Sequence, residues 1–173
     1  GRTSDAQCLG RCSAGKYSDQ TGLASDAECS LCSAGKYSDQ PGRTSDAQCV
    51  GRCSAGKYSD QTGLASDAEC TLCSAGRYSN ETGLNTTNQC KPCTTGKYTN
   101  DTAQATCKTC PVGKSNAGIN NTNCQSCPAG RILNNTLPLQ CLTCPAAYYQ
   151  PYIHLNASLQ CMKCPTGRYI IDH

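Results

Sequence analysis

The sequence predicts a small disulfide-rich repeat array: an elongated rod of about nine tandem modules, with little regular secondary structure beyond short β-hairpins. Three observations carry this expectation. Cysteine fills 18 of the 173 positions, a density that marks a disulfide scaffold. The cysteines fall into pairs at 8/12, 29/32, 49/53, 70/73, 90/93, 107/110, 124/127, 141/144 and 161/164. The stretch CSAGKYSDQTGLASDAEC, Cys12 to Cys29, returns letter for letter from Cys53 to Cys70, with the near-copy CSAGKYSDQPGRTSDAQC between them from Cys32 to Cys49.

Composition explains why the scaffold has to be covalent. Leu, Ile and Val together number 19, and Phe and Trp are absent. Such a chain buries too little apolar surface to offset its conformational entropy, so disulfides replace the core. Disorder is the competing outcome for a poor core, but it also needs a high net charge, and the charge here is +3. That charge is uneven: residues 1–70 carry seven basic and nine acidic groups, residues 71–173 eight and three. Neither part contains a basic run of the nucleic-acid or membrane type, so no nucleic-acid partner is expected. The apolar runs are only a few residues long, so no membrane span is expected in this window. GRTSDAQC opens the chain and recurs at 42–49. The chain is therefore expected to be a window of a longer protein, with any leader, anchor or further domain outside it.

Two levels of repetition organise the chain. Residues 1–41 match 42–82 at 35 positions, so 1–82 reads as two near-identical double repeats in which CLGRC or CVGRC alternates with CSLC or CTLC. Residues 83–173 form a more divergent, sequon-rich part. Within each loop, positions are counted from the second cysteine of the pair that opens it. Position +3 is Gly15, Gly35, Gly56, Gly76, Gly96, Gly113, Gly130 or Gly167, with Ala147 the exception. A glycine at fixed offset predicts a turn with positive φ or a close backbone approach. Position +5 is Tyr17, Tyr37, Tyr58, Tyr78, Tyr98, Ile132, Tyr149 or Tyr169, and Ser115 in one loop. This large residue is expected to lie flat on its own module's disulfide or on the neighbouring repeat, its hydroxyl towards water. Position +10 is Gly22, Gly42, Gly63 and Gly83 in the first four loops, which predicts a second turn. No segment keeps a helical period for three turns, and short two-stranded ribbons are expected around GKYS. Each module should then touch mainly its neighbours.

The pattern C-x-A-G-K-Y-x(4)-G…C-x-x-C resembles the cysteine-rich repeats of ephrin-type receptor ectodomains. It is more loosely similar to the modules of tumour necrosis factor receptors and to CxxC-punctuated arrays of protist surface coat proteins. The likeness covers essentially the whole window and speaks for module architecture, not for role. In tumour necrosis factor receptors, a module opening C-x-x-G-x-Y closes its loop with the next cysteine. The resemblance thus implies Cys12–Cys29, Cys32–Cys49, Cys53–Cys70, Cys73–Cys90, Cys93–Cys107, Cys110–Cys124, Cys127–Cys141 and Cys144–Cys161, with Cys8 and Cys164 bonded outside the window. An interlaced scheme, Cys12–Cys32 with Cys29–Cys49, is the alternative. A disulfide closing a 16-residue loop stabilises by about 3 kcal/mol in the chain-entropy model.

Other chemistries fit less well. C-x2-C, a 15–20-residue spacer and C-x2-C is also zinc-ribbon spacing. Here the early spacers join unequal pairs, later ones shrink to 13 residues, and nine pairs do not divide into four-cysteine sites, so neither a metal nor a cofactor is expected. Redox CxxC chemistry lacks its βαβ surroundings. His154 and His173, the two histidines, have no nucleophile or carboxylate in a repeated arrangement with them, so no catalytic residue is assigned and the chain is not expected to be an enzyme. Sequons occur at Asn80, Asn85, Asn100, Asn120, Asn134 and Asn156, against about two expected by chance from a Ser and Thr content near a fifth. They predict N-linked glycans and a secretory route, with O-linked sugars on the many Ser and Thr left open. Asn80, Asn100 and Asn134 stand at +7, where earlier loops carry Asp19, Asp39 and Asp60. The aromatic stretch around Tyr148, Tyr149 and Tyr152 is a candidate contact patch, or the packing of a local joint.

Two functions from different classes are compatible with these features. One is an extracellular or cell-surface structural protein that self-associates into a fibre, hair or coat. The other is a receptor or adhesion ectodomain that binds a protein ligand. Near-exact duplication favours the first, because a ligand site needs distinct side chains at distinct places, whereas a lattice needs the same module again.

Overall fold

The computed structural model describes residues 10–111, 113–134, 140–151 and 161–168. Cys8, Tyr152, His154, Asn156, Tyr169 and His173 lie outside them. The described chain is an array of small modules, each closed by its own disulfide. The bonds are Cys12–Cys29, Cys32–Cys49, Cys53–Cys70, Cys73–Cys90, Cys93–Cys107, Cys110–Cys124, Cys127–Cys141 and Cys144–Cys161. We number these modules 1 to 8. Every loop closes on itself, and the interlaced alternative does not occur.

Secondary structure is confined to eight two-stranded sheets and short 3-10 turns, and no α-helix is present among the described residues. Each module begins with a tight turn in which the +4 amide donates to the +1 carbonyl, as from Lys16 to Ser13 (3.1 Å) and Lys57 to Ser54 (3.0 Å). The third residue of that turn is the +3 glycine, whose φ lies between 77° and 81° in all eight glycine cases. Only a turn type with positive φ at its third position fits, which is why glycine dominates there. Ala147 takes the same place with φ 69°. The two residues after the turn form a strand that pairs antiparallel with the residues between the next two cysteines, for instance Lys16 with Leu31 and Tyr17 with Ser30. The longest pairing joins Arg131–Asn134 to Gln140–Thr143. In modules 1 to 4 a 3-10 turn immediately precedes the closing cysteine.

The chain divides into two compact units, Gly1–Cys73 with Ser79–Lys91 and Ala103–Ala105, and Ser74–Tyr78 with Pro92–Thr102 and Thr106–His173. In the first unit the core is sulfur. Cys32 and Cys53 are fully buried, and apart from cysteines the only buried apolar side chains among the described residues there are Leu64 and Leu84. Tyr37 packs against the cluster of Cys53, Leu64 and Cys70, so a module's tyrosine covers the disulfide of the module that follows it. The same ring lies over Gly51, where any side chain would strike it. That contact accounts for the glycine of the CVGRC joint.

Contact in the first unit reaches beyond the immediate neighbour. A Cβ at Gly15 would collide with the backbone of Gly63, one at Gly35 with Gly83 and Leu84, and one at Gly56 with Ala103. Each +3 glycine thus abuts the +10 turn two modules further on. In these modules the +3 glycine therefore has two reasons to exist, a positive φ and a neighbouring backbone with no room for a methyl group, whereas Gly130 and Gly167 have only the first. The second unit repeats the arrangement at Gly76, which abuts Asn120.

Candidate assembly and modification surfaces

Three backbone hydrogen bonds form the seam between successive modules. Between modules 1 and 2, Gly15 N–H donates to Ser38 O (2.8 Å), Ser18 N–H to Arg43 O (3.0 Å) and Gly42 N–H to Cys12 O (2.7 Å). Between modules 3 and 4 the same bonds run from Gly56 to Ser79 (2.8 Å), Ser59 to Leu84 (3.0 Å) and Gly83 to Cys53 (2.8 Å). In the second unit Gly76 donates to Thr99 (2.8 Å) and Thr99 to Asn121 (3.1 Å), while Gly96 donates to the Asn116 side chain instead (2.7 Å). In modules 1 to 6 the +10 residue lies in the left-handed region: Gly22, Gly42, Gly63, Gly83, Ala103 (φ 57°) and Asn120 (φ 59°). The second turn therefore outlasts the glycine that signals it in sequence.

Two sets of residues that sequence reasoning missed hold each module together. The first is a clamp of Ser +1, Lys +4 and the Asp three places before the closing cysteine. Lys16 meets Asp26 at 2.6 Å, Lys36 meets Asp46 at 2.6 Å and Lys57 meets Asp67 at 2.7 Å. The Ser13, Ser33 and Ser54 amides donate to the same carboxylates at 2.7, 2.8 and 2.7 Å. The Lys16 ammonium and the Ser13 amide hold the Asp26 carboxyl down at about 2. Lys36 and Ser33 lower Asp46 in the same way. At Asp67 partial burial pulls upward, but Lys57 and Ser54 outweigh it and the net shift is again downward. The signal in sequence was the S-D-A-[EQ]-C ending, which recurs in three loops and is absent from module 4 onward.

The second missed set is the +6 residue. Ser38, Ser59, Ser79 and Thr99 are buried, the last three completely. Their hydroxyls bond the chain two residues on: Ser59 Oγ donates to Gln61 O (3.3 Å) and accepts from Gln61 N–H (3.1 Å). These local bonds satisfy groups that the seam closes off from water. A small hydroxyl beside the tyrosine in each of the first five loops was the available clue.

The candidate modification sites sit on the outer surface. Asn80, Asn85, Asn100 and Asn120 are all exposed. Asn134 ends the strand Arg131–Asn134, and Asn156 lies outside the described residues. Of the aromatic patch, Tyr148 is exposed and pairs across its hairpin with Lys163, while Tyr149 is half-buried opposite the exposed Met162. Tyr152 lies outside the described residues. Sixteen cysteines are tied up in disulfides, Cys164 has no disulfide partner among the described residues, and no group of three His, Cys, Asp or Glu that could hold a metal exists among them. No helix among them is long and apolar enough to cross a membrane.

No protein-family model matches the chain, and no curated protein is significantly similar to it. The class of protein therefore rests on geometry alone: tandem cysteine-rich modules, each closed by one disulfide and carrying a two-stranded ribbon. Disulfides in this number are typical of extracellular or secreted proteins.

Proposed function

We propose that the chain is an extracellular structural protein, a glycosylated and disulfide-stapled module array that self-associates into a fibre, hair or surface coat. One observation carries the reading. The recurring residues of modules 1 to 4, namely the +3 and +10 glycines, the +6 hydroxyl and the +5 tyrosine, serve the seams. What remains outside, the Asp or Asn loop tips and the residues of the cysteine pairs, is presented almost unchanged from one double repeat to the next. A surface of that kind offers equal contacts at regular intervals, as a lattice requires. No catalytic role is part of the proposal. Placing the modules in the ephrin-receptor-like cysteine-rich class belongs to the same reading, supported by the loop-by-loop disulfides. A receptor or adhesion ectodomain is the second reading, favoured by the exposed Tyr148 and Met162 of the last hairpin.

Electron microscopy of the native material tests the proposal. Regular filaments or a coat are expected. Dispersed single chains that bind a soluble protein ligand would overturn it.

A further inference from the structure

The clamp described above changes the outward charge of the modules along the chain. In modules 1, 2 and 3 the +4 lysine is consumed by Asp26, Asp46 or Asp67. The +7 carboxylates Asp19, Asp39 and Asp60 of these modules are exposed and have no cationic partner among the described residues. Asp19 and Asp60 accept a hydrogen bond only from the adjacent Gln20 and Gln61 side chains. In modules 5, 6 and 7 the clamp aspartate is replaced by Gln104, Asn121 and Pro138. The same +4 position then releases its cation: Lys97, Lys114 and Arg131 are exposed and unpaired among the described residues. The +7 carboxylate has gone too, replaced by Asn100, Ala117 and Asn134. Modules 1 to 3 therefore each present a free carboxylate at +7, in addition to the exposed Glu28 and Glu69, and modules 5 to 7 each present a free cation at +4.

Resting on the structural reading above, we propose that Asp19, Asp39 and Asp60 of one chain dock on Lys97, Lys114 and Arg131 of a second copy. Both halves of the complement recur once per module, the carboxylate at +7 in modules 1 to 3 and the cation at +4 in modules 5 to 7. A second copy therefore matches the cation row in sign and in repeat, whereas an unrelated polyanion would match it only in sign. The two patches are different surfaces, so the contact is heterologous. Each added copy leaves a fresh patch at either end, and growth does not close. Contacts between exposed charges weaken as the Debye length falls, from about 10 Å at 0.1 M salt to about 3 Å at 1 M.

The test uses the native glycosylated chain, with light scattering and sedimentation as readouts. Assembly should fall at least tenfold between 0.1 M and 1 M NaCl. Asp19→Lys/Asp39→Lys/Asp60→Lys should abolish it at 0.1 M, and so should Lys97→Glu/Lys114→Glu/Arg131→Glu. An equimolar mixture of the two triple variants should assemble again, because each acidic row then faces a basic one. That rescue also shows that both variants are folded. If the native chain assembles but neither salt nor charge reversal alters it, the docking inference fails while the structural reading stands. If the native chain never assembles, both fail. If the cation row instead binds a sulfated polysaccharide and copies do not associate, the partner is a polyanion and the inference is overturned.

Discussion

Replacing Gly56 by alanine isolates the contact between modules two apart. The substitution adds one methyl group at φ 80°, and that methyl would collide with the Ala103 carbonyl and approach Gln104 N to 2.9 Å. Two costs follow. A non-glycine residue in the left-handed region costs about 1–2 kcal/mol. Forcing a methyl against backbone that cannot rotate away costs about 1–3 kcal/mol more, as overpacking does elsewhere. Gly56→Ala should therefore destabilise by about 2–5 kcal/mol, while Gly22→Ala meets nothing within 4 Å at a similar φ of 73° and bears only the first cost. Alanine does occupy positive φ in this protein, at Ala103 and Ala147, so backbone conformation alone is tolerated. The measurement is urea unfolding of the oxidised chain, both variants side by side. Equal midpoints for Gly22→Ala and Gly56→Ala would refute the close-approach argument, because the steric term would then be absent.

Further outcomes are expected from the same geometry. Folded-state depression of Asp26 to about 2 from 3.8, with Asp46 and Asp67 also lowered, means that folding releases protons. The clamps thus add stability above about pH 4 that drains away as pH falls towards 2. An acid titration of unfolding should show this slope, and Asp46→Asn/Asp67→Asn should flatten it. Each clamp lies near the surface, where solvent screens its charges, so the slope is shallow. Ser59→Ala removes a fully buried hydroxyl and leaves the Gln61 amide unpartnered. It should cost about 1–3 kcal/mol in the same unfolding assay, and Ser59→Thr should cost less, since Thr99 holds that place in module 5. Intact-mass analysis of the secreted chain before and after enzymatic N-glycan removal should show sugar on the exposed Asn80, Asn85, Asn100 and Asn120. Loss of one glycan per Asn→Gln variant checks each site.

Much of this fold was legible because its determinants are local. Gly15 and its equivalents predict a turn from their own φ preference. The loop-by-loop disulfides followed from a resemblance and not from the residues, since a cysteine does not name its partner. The clamp escaped notice because Lys16 and Asp26 stand ten residues apart across a loop whose return path is not written in either residue. The buried hydroxyls of Ser59 and Thr99 escaped notice for the opposite reason: serine and threonine are usually exposed, and only the closing of a seam over them makes them interior. At Ala103 and Asn120 the glycine signal vanishes while the turn persists; at Ala103 the backbone is held by bonds from its own N–H to Cys73 O and from Ser79 N–H to Gln104 O.

The sequence by itself determined the module, its period, its lack of a conventional core and its reliance on sulfur, because composition and spacing act within some twenty residues. Only the tertiary structure decided how far each module reaches. That Gly15 meets Gly63 and that Tyr37 covers the next module's disulfide both depend on how successive loops wind past one another. That winding comes from the seams' backbone groups, which every residue except proline possesses in full and which leave no letter in the sequence.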